Sequence, residues 1–159
     1  MSPFLRQKQI PFTVFAVPGF IGGQSNLYEK KGLGPLHHMT ADQLRKLADS
    51  GLVTFGANGF YHRNLIGAPE DELLEETRDA KAYLEDLLNQ EVPYYAYPFG
   101  AADKTAVAAV RDSGYKLGFT TRKAAIDLHR PDRFCLPRIN WSRRATLLKL
   151  YRYFLLPGS

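Results

Sequence analysis

Three segments of this 159-residue chain carry side chains that could do chemistry, and each accompanies a short apolar run. Asn58 and His62 follow the run 52–57, and a Tyr-Pro-Phe-Gly turn closes the run that begins at Tyr94. The third segment holds Arg138, Asn140 and Trp141. An imidazole can bind a metal ion or transfer a proton, but a loop histidine can equally be held by backbone hydrogen bonds. Both interpretations stay open for His62.

The elements around these segments alternate along the chain. Apolar runs predict strands at 11–17, 52–57, 94–97, 116–120 and 135–140. Helical spacing and end signals predict helices at 40–51, 69–90, 103–113 and from 142 onward. Thr40 with Gln43 forms a capping-box pattern, and residues 22–38 are typical of a long loop. The alternation predicts an α/β fold with a parallel sheet, whose functional residues gather at the carboxyl ends of strands.

Composition indicates one globular domain over residues 1–159, with 45% hydrophobic and 23% charged residues. The net charge of +5 comes from the segment after Pro137, which has five basic and no acidic residues. This local basicity does not indicate a nucleic-acid partner.

Apolar stretches are too short for a transmembrane segment, and the amino terminus lacks a secretory cleavage pattern. As written, the chain is expected in the cytoplasm.

Several segments together resemble the polysaccharide deacetylases with the chitooligosaccharide-deacetylase homology domain, carbohydrate esterase family four. The matching stretches are PFTVFAVPGFIGG, MTADQLRKLADSG, GLVTFGANGFYHRNL, YAYPFG and RDSGYKLGFTTR. The resemblance implies a distorted (β/α) barrel of the glycoside hydrolase and deacetylase type. It also implies zinc or another divalent metal, and hydrolysis of the carbon-nitrogen or ester bonds of acetylated polysaccharides or oligosaccharides by metal-activated water.

The resemblance implies metal ligands that this chain supplies only in part. Family members pair two histidines as His-x-x-x-His; His62 matches the second, and Asn58 replaces the first. The family's Thr-Phe-Asp-Asp-Gly motif would precede the strand at 11–17, but the first aspartate here is Asp42. No late histidine matches the family's general acid. The domain is therefore expected to be partial and to lack its first βα unit, which a partner could supply.

The family's groove-wall motif matches Tyr97, Pro98, Phe99 and Gly100, which become candidate substrate-binding residues. A backbone amide near the aromatic would donate to the oxyanion. Strand-end aromatics more often close a core, which favours packing for Phe99 and Trp141. Two other loop histidines, His37 and His38, are substitute ligand candidates, although solvated side chains are the simpler interpretation. The helix from 142 is expected to pack on the barrel rather than on a membrane surface.

Two functions are consistent with these residues. The first is a deacetylase whose site is impaired in this chain, and the second is a non-catalytic relative that binds a glycan or a protein. The location stays open as well, because family members are often exported.

Overall fold

A four-stranded parallel sheet organises the chain in the computed structural model, which describes residues 3–25, 35–122 and 132–138. The strands are β1 (Phe12–Ala16), β2 (Gln24–Ser25), β3 (Leu36–His37), β4 (Val53–Ala57), β5 (Tyr94–Ala96) and β6 (Leu117–Phe119). The helices are α1 (Pro3–Gln7), α2 (Ala41–Ala48), α3 (Glu70–Leu74), α4 (Ala80–Leu88) and α5 (Lys104–Asp112). The parallel strands follow the order β1-β4-β5-β6, and β2 pairs with β3 in an antiparallel ribbon.

Helical crossovers connect the parallel strands, so the predicted α/β organisation is confirmed. Helix α2 joins β1 to β4, α3 and α4 join β4 to β5, and α5 joins β5 to β6. The capping box is present as predicted: Gln43 N donates to Thr40 Oγ1 at 3.3 Å, and Thr40 N donates to Gln43 Oε1 at 3.0 Å. These bonds satisfy two amides at the start of α2 that have no partner within the helix.

The predicted secondary structure differs from the observed structure at three places near the ends of the chain and in the loop after β1. The segment 22–38 is not wholly a loop, because Gln24 pairs with His37 in the β2-β3 ribbon. Helix α1 was not predicted. The strand expected at 135–140 is, within 132–138, a single parallel bridge between Phe119 and Leu136. Asn140, Trp141 and the terminal helix lie outside the described residues.

The hydrophobic core lies between one face of the sheet and the helices. Phe55 from β4 is 0% exposed and packs in one cluster with Leu84 of α4 and Val110 of α5, which are also fully buried. Burying such a side chain contributes about 1.5–3 kcal/mol. The alternation in β4 sends Val53, Phe55 and Ala57 to this core and leaves Thr54 exposed.

The other face of the sheet carries aromatic side chains that are only half-buried. The Phe15 ring lies 5.7 Å from the Phe119 ring, which in turn lies 6.0 Å from that of Tyr94. The Arg138 guanidinium stands 5.5 Å from the centroid of Phe15.

Within the described residues β1 has a paired neighbour on one side only, namely β4. This edge is apolar, which is uncommon for an unpaired parallel strand.

The long helix predicted at 69–90 is interrupted by a π-helical turn over Glu75–Asp79, between α3 and α4. A π-turn displaces backbone carbonyls from their usual partners. Here Tyr95 Oη donates to the Glu76 carbonyl at 3.2 Å, and Tyr115 Oη donates to that of Thr77 at 2.9 Å. Both phenols are buried, and burial raises their pKa well above the usual value, so they remain donors.

In the described part of the chain, no helix has the length and apolarity to cross a membrane.

Candidate functional site

The loops that follow β4 and β5 meet at His62 and Phe99. Their ring centroids are 4.8 Å apart, with the planes at 71° in an edge-to-face contact. Both residues have left-handed backbones, with φ of 63° at His62 and 59° at Phe99. Such conformations are uncommon outside glycine and concentrate at functional sites. The carboxyl ends of two parallel strands therefore bring a histidine and an aromatic ring to one place.

A cleft of about 320 Å³ lies beside this pair and along β1. Its walls include Phe20 and Ile21 from the turn after β1, together with His38, Asn58 and His62. A larger cavity, of about 760 Å³, lies at the amino ends of β1 and β4, where Arg6 and Lys46 are among its lining residues. Because functional loops of parallel sheets collect at the carboxyl ends, the smaller cleft is the candidate site.

Asn58 is fixed at the entrance of the loop after β4. Its backbone amide donates to the Ala16 carbonyl at 2.9 Å, which continues the pairing of β4 with β1 by one residue. The half-buried side chain lines the cleft together with that of His62. The four-residue spacing seen in the sequence thus places the Asn58 amide and the His62 imidazole at one cleft.

His38 also reaches this cleft, unlike its neighbour. His38 is half-buried, its Nε2 lies 2.7 Å from Ser25 Oγ, and its ring centroid is 5.0 Å from that of Phe20. His37 is exposed on β3, with Nδ1 at 3.3 Å from Gln24 Nε2. The interpretation of both as solvated loop side chains is therefore wrong for His38.

The environment of His62 favours its neutral form. Partial burial lowers the pKa of His62 below its ordinary value of 6.5, and the carboxylate of Glu76 opposes this shift without cancelling it. A neutral imidazole keeps one nitrogen as an acceptor. At neutral pH the ring can therefore accept a hydrogen bond or a proton.

Glu76 is a part of the site that sequence reasoning missed. The residue is 0% exposed, and its carboxylate accepts hydrogen bonds from the loop after β4. Its position carried a signal, because Glu76 lies three residues after Leu73 and four before Ala80. It is therefore an acid on the apolar face of the predicted helix.

The Tyr-Pro-Phe-Gly turn divides between core and surface. Phe99 is 65% exposed, so the expectation that it packs in the core is wrong: its positive φ turns the ring outward. Tyr97 and Pro98 are buried beneath the turn, which differs from the expectation that they line a groove. Gly100 has φ of 72°, and a Cβ there would overlap Thr121. The turn therefore exposes the Phe99 ring at the surface.

The donor set does not fit the metal centre that the family resemblance implies. His62 is the only matching imidazole, and an Asn58 amide oxygen is a weaker zinc ligand. In 3–25, 35–122 and 132–138 no three histidine, cysteine or acidic residues are grouped so as to hold a metal ion. The Glu76 carboxylate is fully buried, and each of its oxygens accepts a hydrogen bond from a backbone amide of the loop.

A parallel sheet with crossover helices and a strand-end site defines an α/β protein, and its likeness to solved structures of deacetylases makes this fold one of the (β/α) barrel type. The sequence pattern of the polysaccharide deacetylase family matches residues 1–118, so the chain belongs to this family. The chain spans 34–47% of the length of the curated relatives it matches.

Three similar proteins illustrate the relationship. The poly-beta-1,6-N-acetyl-D-glucosamine N-deacetylase of Staphylococcus aureus is 23% identical over 86% of this chain and 47% of its own. The structure of the Streptococcus pyogenes deacetylase PplD, in complex with acetate, has a TM-score of 0.76 at 24% identity, covering 95% of this chain and 62% of that one. IcaB from Ammonifex degensii has a TM-score of 0.70 at 25% identity, covering 89% and 60%.

Proposed function

We propose that this chain forms the substrate-binding part of a polysaccharide deacetylase, a hydrolase that removes acetyl groups from an acetylated polysaccharide such as poly-N-acetylglucosamine. The observation that carries the proposal is the contact between His62 and Phe99, at the carboxyl ends of β4 and β5, in a chain of this family. The name of the staphylococcal relative supports the substrate class.

In this proposal the turn after β5 binds the acetylated sugar. The exposed Phe99 ring offers a face on which a pyranose ring can stack. The Gly100 amide donates to Tyr97 O at 2.8 Å and the Ala101 amide to Pro98 O at 3.2 Å, so both amides are used within the turn. We therefore assign to the Phe99 amide the hydrogen bond to the acetyl carbonyl oxygen, which strengthens as that oxygen gains charge.

His62 stands at the same cleft as a neutral imidazole. In this role it orients the acetyl group or a water molecule by accepting a hydrogen bond. The apolar walls at Phe20 and Ile21 exclude bulk water from the acetyl methyl group, which strengthens polar contacts in the cleft.

Hydrolysis in this proposal needs carboxylates from a βα unit outside the described residues. We propose that its strand pairs in parallel with β1, whose outer edge has no paired strand among those residues. The Phe12 amide donates to Leu52 O and the Asn58 amide to Ala16 O, so alternate residues of β1 face β4. The backbone amides of Thr13 and Phe15 then face the open edge and would donate to the added strand.

Two assays test the proposal. Two-dimensional NMR of the labelled chain should show Phe99 and His62 signals shifting with an N-acetylated glucosamine oligosaccharide and not with its fully deacetylated form. Adding a peptide that carries the family's Thr-Phe-Asp-Asp-Gly unit should slow hydrogen exchange at the Thr13 and Phe15 amides, and acetate release should follow. Equal shifts with both oligosaccharides would contradict the proposed binding specificity.

A second candidate function is a non-catalytic relative that binds a glycan or a protein partner. The observation in its favour is the Asn58 side chain, which lines the cleft at the position of a family histidine. Selective oligosaccharide binding without acetate release, in the presence of both zinc and the added βα unit, would support this function over the first.

A further inference from the structure

The carboxylate of Glu76 connects the π-helical turn to the loop that carries His62. Its Oε1 accepts from the Tyr61 backbone amide at 2.9 Å, and its Oε2 accepts from that of Arg63 at 3.3 Å. These two amides belong to the residues immediately before and after His62. One buried side chain therefore bonds to the backbone on both sides of the imidazole.

Such a carboxylate is costly to bury, so its partners matter. An acid in an apolar environment is retained when hydrogen bonds and an opposite charge compensate for its lost hydration. Here the compensation is two charge-assisted bonds and the Arg63 Nε atom, at 4.0 Å from Oε1. The same guanidinium donates through Nη1 to Glu75 Oε2 at 2.6 Å, on the exposed side of the turn.

Two buried tyrosines hold the backbone of the π-turn at Glu76. Tyr95 and Tyr115 donate to the carbonyls of Glu76 and Thr77, which anchors the π-turn to β5 and to the segment two residues before β6. The extra residue per turn of a π-helix rotates the following side chains relative to a regular helix. The anchored turn thus presents the Glu76 carboxylate to the loop rather than to solvent.

Gly59 leaves the space that this carboxylate occupies. Its φ is 80°, and a Cβ at this position would overlap Glu76 Oε2. A side chain would therefore both strain the loop backbone and displace the carboxylate. The loop sequence and the buried acid are complementary in shape as well as in hydrogen bonding.

We propose that Glu76 is the positioning residue of the candidate site: its carboxylate holds the backbone of the 59–63 loop so that the His62 ring rests against Phe99 at the cleft. The importance of this geometry for substrate rests on the proposed function, but the geometry itself can be tested without substrate. If the chain releases no acetate, the positioning role of Glu76 still stands. If Glu76 proves not to position the loop, the deacetylase proposal still stands.

The test compares Glu76→Gln with Glu75→Gln by NMR of the full 159-residue chain. The glutamine at 76 keeps the size of the side chain but has one acceptor oxygen, so one of the two amides loses its partner. We expect hydrogen exchange at Tyr61 or Arg63 to become at least tenfold faster, and the NOE contacts between the His62 and Phe99 rings to weaken. The Glu75 variant loses only the exposed pair with Arg63. It should preserve both the slow amide exchange and the contacts between the two rings.

A second variant, Gly59→Ala, displaces the carboxylate without removing it and guards against misfolding of the first. It should weaken the same ring contacts while the core amides of β4 and β5 keep their protection. Unchanged ring contacts and amide exchange in a folded Glu76 variant would overturn the proposal. So would a uniform loss of protection throughout the chain in both variants, which would assign Glu76 to general stability alone.

Discussion

The rings of His62 and Phe99 meet edge to face at 4.8 Å, although 36 positions separate them in the sequence. Each residue has a left-handed backbone. Because β4 and β5 are adjacent and parallel, the loops leaving them emerge side by side, and the two unusual conformations turn the rings toward each other. The contact places the His62 imidazole beside the exposed Phe99 ring, as the proposed binding of an acetylated sugar requires.

Replacing Phe99 with alanine should weaken binding of an N-acetylated glucosamine oligosaccharide. The lost stacking surface corresponds to about 0.5–1.5 kcal/mol, or roughly twofold to twelvefold in Kd. The measurement is a calorimetric or NMR titration of wild type and variant. Phe4→Ala is the matched control, since Phe4 is 58% exposed in α1, at the opposite end of the strands. Equal losses in both variants would argue against stacking at Phe99.

Changing Asn58 to histidine should create a stronger zinc site. An imidazole at this position, beside His62, supplies the pair of histidines of the family pattern. A second nitrogen ligand at the family's spacing should raise zinc affinity about tenfold or more. Isothermal titration with zinc measures the effect. Asn64→His is the control: Asn64 is exposed in the same loop, where its Oδ1 accepts from the Ile66 amide at 3.1 Å. A comparable gain in the control would indicate nonspecific binding by added histidines.

The organisation of the fold could be predicted where local signals agree with tertiary packing. The capping pattern at Thr40 and Gln43, followed by Leu44 and Leu47, predicts α2. Thr40 and Gln43 satisfy helix-end amides, and Leu44 and Leu47 cover the sheet. The β2-β3 ribbon could not be predicted in this way. Its strands have two residues each, too few to show a period of two.

The site could be predicted only in outline. Strand-end position identified Asn58, His62 and Phe99, because parallel strands deliver their carboxyl ends to one side. It could not reveal that Phe99 is exposed, since a positive φ at a non-glycine residue leaves no mark in residue type. Glu76 was overlooked because acids in helices are usually solvated, whereas here two backbone amides from another segment make burial favourable.

Removing the Thr40 hydroxyl should destabilise the protein modestly. Thr40→Ala deletes the acceptor for the Gln43 amide and should lower the free energy of unfolding by about 1 kcal/mol. Urea denaturation of both proteins measures the difference. Thr40→Ser keeps the hydroxyl and should remain close to wild type. A serine variant as unstable as the alanine variant would show that the methyl group, not the cap, carries the effect.

Asp103 should make stability depend on pH in the acid range. Its Oδ1 accepts from the Ala106 amide and from Thr105 Oγ1, and its Oδ2 accepts from the Gly67 amide, at 2.9, 2.7 and 2.9 Å. These hydrogen bonds, that of Ala106 first, lower the pKa of Asp103 from 3.8 to about 2. The carboxylate therefore caps α5 and ties the loop after β4 to it.

A depressed pKa in the folded state means that protonation opposes folding. The contribution of Asp103 is fully present above pH 3.8 and is lost as the pH falls toward about 2. The difference in free energy of unfolding between wild type and Asp103→Asn should thus be constant near neutrality and shrink over that interval. Asp112→Asn, at an exposed helix end, is the control, and its difference should not follow this profile. Urea denaturation at closely spaced pH values measures both, and a difference independent of pH would contradict the assignment of the cap to the ionised carboxylate.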